Sequence, residues 1–449
     1  MRKMVARMVS AAALFGIFMN TGALEARGAE IQQERVMTQS WMEAAEMRSR
    51  AADISINQQE MDVLYLTNKI RMINGLEPLS TFARIQAAAD IRGSELGTKF
   101  DHERPDGTLC FTALDQQGIS YQSAAENISA GSPDAMATID GWWNSPGHQA
   151  NMMASESSHL GVGYDYISGS EYGHYWVQLF TGTCAPTEIR VMDDENYIYL
   201  IPAGTSLEYL GLMLEADCEH GTAYLPILDE MCTGYNPEQA GTIQTVQAEY
   251  GGCTASFQIY PYPPMQFTDV SAGDWYYGYV EYVYALNIMT GLNDTYFGAV
   301  EPLSRAQFAV ILYRLEGEPD VSGLAAAGFP DVPEGIWYDN AVRWAAANGI
   351  ISGYTSGPEA GKFGASDKIT RAQMATMMYR YAKYKNYDTS ADGNLDSFPD
   401  VSDVPEFAVD GMKWAVGMGI ITGDQENLNP QGSASRAVGA TIITRFMQG

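Results

Sequence analysis

The last 185 residues of this 449-residue chain contain one pattern three times. Each copy opens with Phe-x-Asp-Val, at Phe267, Phe329 and Phe398, and closes on a Ser-Arg-Ala or Thr-Arg-Ala helix start. The copies begin 62 and 69 residues apart. A self-similar period of this length indicates a supersecondary unit that repeats and stacks on its neighbours. The chain is therefore multidomain, with a C-terminal part built from three equivalent units.

Each copy predicts two helices, because apolar residues recur at three- and four-residue spacing. The Ser or Thr before Arg-Ala is a helix N-cap, so the arginine lies in the first turn, where the helix dipole disfavours a cation. Two explanations for this placement stay open: an anionic ligand, or structural ion pairs with the aspartates of the opening motifs. The residues concerned are Arg305, Arg371 and Arg436, and Asp269, Asp331 and Asp400.

The three copies resemble S-layer homology (SLH) modules, with boundaries at 265–327, 328–390 and 397–449. The resemblance implies a pseudo-threefold α-helical bundle, a pseudo-trimer, that binds an anionic, pyruvylated secondary cell wall polysaccharide. By position it implies the following binding residues: Asp269, Trp275, Gly291 and Arg305; Asp331, Trp337, Gly353 and Arg371; Asp400, Gly423 and Arg436.

The chain departs from the family pattern in two ways. The glutamate expected after Thr-Arg-Ala is Gln307, Gln373 and Val438, and Phe407 stands near the place of a third tryptophan. We therefore expect two competent binding grooves, in the first two copies, and question the third.

The charge of the chain limits its partners. The formal net charge is -29, and residues 265–449 hold 12 Lys and Arg against 22 Asp and Glu. No basic stripe suits the chain for nucleic acid. Attraction to an anionic polymer must then be local, through guanidinium groups that fit a carboxylate and aromatic faces that support a sugar ring.

The N-terminus predicts export. Arg2, Lys3 and Arg7 precede a run of about 12 apolar residues, and small residues follow, which is the order of a secretory signal peptide over 1–29. That run is too short for a transmembrane span, and no later segment reaches 18 apolar residues. We expect a secreted protein at a bacterial cell wall, with a helical leader over 30–57.

Residues 58–183 predict two helices followed by two strands, an α+β arrangement. The fragments "FDHERPDG", "SAAENISAG" and "SPGHQANMM", followed by "GVGY", resemble the bacterial form of the CAP superfamily, the cysteine-rich secretory (SCP) and pathogenesis-related proteins. The resemblance implies an α-β-α sandwich with a central cleft. Two histidines and two acids meet there in the family, where they can hold a divalent metal such as zinc.

By position the cleft residues are His102, Glu126 and His148, while Ser145 stands where the second acid belongs. The three are the candidate catalytic set, and the two histidines are the candidate metal ligands. Two uses stay open: binding of an extracellular lipid, peptide or host protein, or metal-assisted hydrolysis of wall or extracellular material. The missing acid and the lack of a nucleophile motif favour binding. Another histidine, His159, is expected to end a loop outside the cleft.

The middle segment, 187–260, has short β runs separated by glycine turns. It loosely resembles bacterial immunoglobulin-like domains, which predicts a small β-sandwich that acts as a spacer. The five cysteines are sparse and odd in number, so folding does not depend on a disulfide framework.

Overall fold

The computed structural model describes residues 54–182, 185–192, 198–219, 221–423 and 426–448. The chain divides after Tyr262 into an N-terminal unit and a C-terminal unit. The predicted signal peptide and most of the predicted leader lie outside the described residues, as does Cys184.

A three-stranded antiparallel sheet, ordered β1-β3-β2, forms the middle layer of the first part of the N-terminal unit. Alternate residues of β3 enter two cores: Trp176 and Phe180 pack with one set of helices, and Val177 and Leu179 with the other. The α-β-α sandwich is therefore confirmed. Its elements are α1 (Gln58–Ile73), α2 (Ala83–Leu96), α3 (Thr112–Gln116), β1 (Ala124–Ala130), α4 (Ala135–Trp143), α5 (Pro146–Met152), β2 (Ser157–Tyr166) and β3 (His174–Gly182).

The Gly-Val-Gly segment of β2 allows helix α2 to lie directly against the sheet. A Cβ atom added at Gly163 would overlap the carbonyl group of Ala89, and one added at Gly161 would overlap that of Ile85. Because glycine has no Cβ, the two backbones can approach this closely. The position of α2 matters for the cleft, since this helix carries Arg92.

The middle segment forms two small sheets, ordered β4-β6-β7 and β5-β10-β9-β8. Strand β5 pairs parallel with β10, and the other pairs are antiparallel. An immunoglobulin-like topology stays a prediction. The strands are β4 (Glu188–Val191), β5 (Ile198–Pro202), β6 (Met213–Cys218), β7 (Gly221–Pro226), β8 (Cys232–Thr233), β9 (Gln244–Tyr250) and β10 (Cys253–Tyr262).

The middle segment does not stand apart as a spacer, which corrects the sequence-based interpretation. Its apolar residues form one core with helix α1. Thr81 and Tyr224 exchange two backbone hydrogen bonds of 2.7 Å. The Tyr65 hydroxyl donates to Glu208 at 2.5 Å, and the Lys69 ammonium contacts the same carboxylate. The sheets and the sandwich therefore fold as one unit, which continues to Tyr262.

The C-terminal unit contains two α-helices from each repeat. The second helix of a repeat packs against the first helix of the next repeat, and the second helix of the third repeat packs against the first helix of the first. The ring is thus closed. The helices are α6 (Tyr277–Ala285), α7 (Arg305–Leu315), α8 (Asp339–Ala347), α9 (Arg371–Tyr384), α10 (Val409–Gly417) and α11 (Arg436–Gln448).

Three backbone hydrogen bonds repeat this cyclic order just before the second helices. The amide of Leu303 donates to Ala434, that of Ala434 to Ile369, and that of Ile369 to Leu303, at 2.9 to 3.0 Å. The pseudo-threefold helical bundle is therefore confirmed in its geometry.

Among the described cysteines, Cys110, Cys232 and Cys253 are free thiols, and Cys218 is disulfide-bonded.

Candidate functional site

Glu126 lies at the centre of the candidate cleft, on strand β1. Its carboxylate is 2.7 Å from Nδ1 of His102, which belongs to the loop between α2 and α3. The glutamate is buried, whereas the His102 side chain is 57% exposed. The buried carboxylate therefore fixes the orientation of an imidazole whose other edge is open to solvent.

A buried arginine, Arg92, contacts both oxygens of the same carboxylate. Nε of Arg92 donates to Oε1 of Glu126 at 2.8 Å, and a second guanidinium nitrogen lies 3.4 Å from Oε2. Arg92 also pairs with Glu95 and donates to the carbonyl of Asp101, the residue before His102. Both oxygens of Glu126 are thus engaged, one of them by two partners.

His148 reaches the cleft on the short helix α5, whose N-cap is Ser145. The side chain of Asn127 donates to the carbonyl of His148 at 3.1 Å, and Asn151 donates to Asn127 at 2.9 Å. These bonds join α5 to the strand that carries Glu126. Burial, and then the electrostatic effect of His102, lower the pKa of His148, which favours its neutral imidazole.

A divalent metal does not fit this arrangement. Among the described residues, no group of three or more His, Cys, Asp or Glu side chains is placed to hold a metal ion. Glu126 would have to give up Arg92 to become a ligand, and Ser145 supplies no carboxylate. Two imidazoles alone fall short of the three protein ligands of a catalytic zinc.

Cys110 lies beside the cleft but does not offer a nucleophile. Burial, reinforced by the charge of Glu126, raises the pKa of its thiol to about 12. The group therefore stays protonated at physiological pH.

Three other aromatic residues of the sandwich take structural positions. Trp142 is buried and its indole donates to the carbonyl of Ile128. His174 hydrogen-bonds with the Tyr164 hydroxyl. His159 lies inside strand β2, not at the end of a loop, and its ring contacts Ser80 at 2.9 Å, so that expectation was wrong.

Sequence reasoning missed Arg92, Asn127 and Asn151. The one available signal for Arg92 was its position in the helix "ARIQAAADIRGSEL", at three- and four-residue spacing from the apolar residues Ala88, Ala89 and Leu96. The buried guanidinium of Arg92 meets a buried carboxylate of the sandwich, that of Glu126.

In the C-terminal unit, the predicted aspartates hydrogen-bond to the backbone of loops, not to the predicted arginines. The Asp269 carboxylate accepts the amides of residues 297–299, Asp331 those of 363–365, and Asp400 those of 428 and 429. Burial alone would raise the pKa of each aspartate, but the amide donors outweigh it and lower the pKa.

The predicted arginines hydrogen-bond to the same loops. Each arginine belongs to the repeat that precedes the loop in the ring. Nε of Arg305 donates to the carbonyl of Phe363, that of Arg371 to Leu428, and that of Arg436 to Phe297, at 2.8 to 2.9 Å. Each aspartate-held loop is therefore also contacted by the arginine of the preceding repeat in the ring.

The remaining predicted residues divide into two groups. Trp275 and Trp337 are 65% and 64% exposed, and Phe407 in the third repeat is 58% exposed. By contrast, Gly291, Gly353 and Gly423 lack space for a side chain, since an added Cβ would press on the phenylalanine of the opening motif. The aromatic rings can meet a ligand, while the glycines allow close packing.

The glutamines that replace the family's glutamate complete N-terminal capping boxes. Gln307 accepts the backbone amide of Ser304 at 2.9 Å, and Gln373 that of Thr370 at 3.2 Å. Val438 cannot accept such a bond, although its own amide lies 3.3 Å from the Ser435 hydroxyl.

Comparison with known families assigns both parts of the chain. The model of the cysteine-rich secretory protein family, CAP, matches residues 64–180. The model of the S-layer homology domain matches residues 266–309, 328–375 and 397–437. The chain carries a CAP domain followed by three SLH domains.

The CAP domain is similar to the uncharacterized protein YkwD of Bacillus subtilis (strain 168), with 34% identity over 134 residues, 29% of this chain and 50% of YkwD. The SLH domains are similar to S-layer protein EA1 of Bacillus anthracis, with 29% identity over 178 residues, 39% of this chain and 19% of EA1. The chain thus spans half or less of these relatives.

A solved structure, an extracellular protein containing a SCP domain from Bacillus anthracis str. Ames, is 24% identical; the match covers 30% of this chain and 45% of that one, with a TM-score of 0.25. The SLH domains and the S-layer relatives indicate a cell-surface protein. Among the described helices, none has the length and apolar content of a membrane span.

Proposed function

We propose that the SLH domains anchor the chain to an anionic secondary cell wall polysaccharide. The observation that carries this proposal is the kind of partner that the buried arginines of the SLH domains have. Arg305 and Arg436 donate to backbone carbonyls and form no ion pair with any described carboxylate. Their positive charge is therefore available to an anionic ligand at the loops they hold.

More specifically, we propose that the polysaccharide carries pyruvylated sugars. A pyruvyl ketal places a carboxylate on a sugar ring, and a carboxylate is the anion that a guanidinium fork fits best. The exposed rings of Trp275 and Trp337 would support the sugar. The backbone of the neighbouring aspartate contacts Tyr276 in the first repeat and Tyr338 in the second, which keeps each tryptophan near its aspartate-held loop.

Binding of the full chain to purified cell wall sacculi tests the anchor. We expect Arg371→Ala to lower the amount bound, whereas Lys413→Ala, which removes an exposed cation paired with Asp392, leaves it unchanged. Sacculi stripped of pyruvyl groups by mild acid should bind less of the wild-type chain. Equal binding to stripped and intact sacculi would contradict the pyruvyl part of the proposal.

For the CAP domain we propose binding of an extracellular ligand, such as a lipid, peptide or host protein, rather than turnover. The Glu126 carboxylate is held by Arg92 and His102 in a fixed network. A group engaged in this way orients the cleft, and the solvent-exposed edge of His102 supplies a hydrogen-bonding contact for a ligand.

The alternative is a hydrolase, and one observation favours it. The 2.7 Å bond from Glu126 fixes the His102 ring, as a general base requires. Metal content and hydrolytic profiling should separate the two functions, with His148→Ala compared with His174→Ala. Stoichiometric zinc or a turnover that only His148→Ala abolishes would support the hydrolase. The full chain must be used, because the CAP domain shares its core with the middle segment.

A further inference from the structure

Each SLH repeat carries a second arginine, nine residues after the first. We call Arg305, Arg371 and Arg436 the inner arginines, and Arg314, Arg380 and Arg445 the outer arginines. Nine residues make two and a half turns of an α-helix, so the two arginines of one helix lie on opposite sides. The inner arginine reaches the next repeat, and the outer arginine reaches its own.

The outer arginines all contact the same position of the repeat. A guanidinium nitrogen of Arg380 lies 3.2 Å from the Ser352 hydroxyl, that of Arg445 lies 3.1 Å from Thr422, and that of Arg314 lies 3.5 Å from Thr290. Each hydroxyl residue directly precedes the close-packed glycine of its repeat. Because this arginine–hydroxyl contact recurs in all three repeats, it is a structural feature of the repeat.

Two of these positions also receive an inner arginine. Arg305 donates to the carbonyl of Ser352 at 3.3 Å, while Arg380 binds the hydroxyl of the same residue. Arg436 donates to the carbonyl of Thr290, which Arg314 contacts through its side chain. One residue thus holds two guanidinium groups that come from two different repeats.

These paired cations form few direct ion pairs with carboxylates of the described residues. Arg380 and Arg445 form no ion pair with any carboxylate in the described part of the chain, and Arg314 has only Glu318, at 3.6 Å. Burial, the largest effect, lowers the pKa of Arg305. The nearby groups Tyr354, Asp367 and Asp331 raise it, and the charge of Arg380 lowers it. Like charges this close are unfavourable unless an anion lies between them.

We propose that the outer arginines form the second side of each SLH groove, so that an inner and an outer arginine from adjacent repeats bind one carboxylate of the wall polysaccharide together. A carboxylate has about four lone-pair sites and accepts two guanidinium groups at once. The inference rests on the proposed anchoring function. Under this proposal, residues of two adjacent repeats form each groove.

Binding of the full chain to purified sacculi tests this pair. The test variant is Arg380→Ala/Arg445→Ala, which breaks no ion pair of the described residues. The control is Lys368→Ala/Lys413→Ala, which removes the same charge from one exposed and one partly buried lysine. We expect the test variant to bind at least about tenfold more weakly, and the control to bind as the wild type does.

Salt dependence is a second readout. The wild type and the lysine control should lose binding steeply with added NaCl, and the arginine variant less steeply. Should the alanine variant lose helical signal, Arg380→Gln/Arg445→Gln replaces it, since glutamine keeps a polar side chain on the helix.

Equal affinity and equal salt slopes for the wild type and the arginine variant would overturn the role of the outer arginines while leaving the anchor intact. A wild-type chain that does not bind sacculi at all would instead overturn the anchoring function itself.

Discussion

Arg92 in the CAP cleft and Arg436 in the SLH ring are both buried, but different groups compensate their charges. In the CAP cleft, Arg92 is paired with Glu126 and Glu95, and these carboxylates raise the pKa of its guanidinium despite its burial. In the SLH ring, Arg436 donates only to backbone carbonyls, and burial lowers its pKa to about 10. Arg92 is thus compensated by carboxylates of the protein, whereas the hydrogen bonds of Arg436 go to carbonyl groups.

The largest effect is expected when the ion pair between Arg92 and Glu126 is broken. Arg92→Ala leaves Glu126 buried without its cation, and we expect it to lower the free energy of unfolding of the N-terminal unit by about 3–5 kcal/mol. Urea unfolding followed by tryptophan fluorescence measures the loss.

Two companion variants sharpen this result. Lys99→Ala, which removes a half-exposed ion pair with Glu103, should change stability by less than about 1 kcal/mol. Arg305→Ala should destabilise the C-terminal unit by about 2 kcal/mol, because it removes hydrogen bonds without leaving a charge unpaired. A loss at Arg305 as large as that at Arg92 would contradict the distinction between the two units.

The two units should also respond to pH in opposite directions. Burial raises the pKa of Glu60, in helix α1, to about 8, from an ordinary value of 4.5. Folding therefore takes up a proton, and stability of the N-terminal unit falls as the pH rises from about 5 to 8. The pKa of Asp331 is lowered below 3.8, so its contribution is lost only as the pH falls below about 4.

Calorimetry of the full chain at pH 8, 5 and 3 checks this prediction. Glu60→Gln should flatten the response of the N-terminal unit between pH 5 and 8, and leave the C-terminal unit unchanged. Comparison with the wild type isolates Glu60 from His148, whose lowered pKa acts in the opposite direction. An unchanged slope in Glu60→Gln would show that Glu60 is ionised in the folded protein.

The smallest expected effect concerns the third repeat. Val438→Gln should restore the capping box that Gln307 and Gln373 complete in the other repeats. We expect a gain of about 0.5 kcal/mol in the stability of the C-terminal unit, measured by thermal unfolding. Gln373→Val should lose a similar amount; if it does not, the capping box is not what distinguishes the repeats.

The local sequence predicted the elements around each site well. Helical spacing and the N-cap residues located α7, α9 and α11, and the alternation in "HYWVQLFTG" located β3. These features depend on neighbours within one helix or strand, so a short window of sequence contains them. The resemblances supplied the residues His102, Glu126 and His148, which the sandwich places around one cleft.

What the sequence determined by itself was the set of repeating units, their helices and the residue types that could bind an anion. Only the tertiary structure decided which groups meet. Arg92 is 34 residues from Glu126, and Arg436 is 139 residues from Phe297. Such pairs are set by sheet packing and by closure of the ring, because partners distant in sequence leave no spacing pattern. For the same reason, the structure alone showed that the middle segment shares the CAP core, and that the arginine of one SLH repeat contacts a loop of the next.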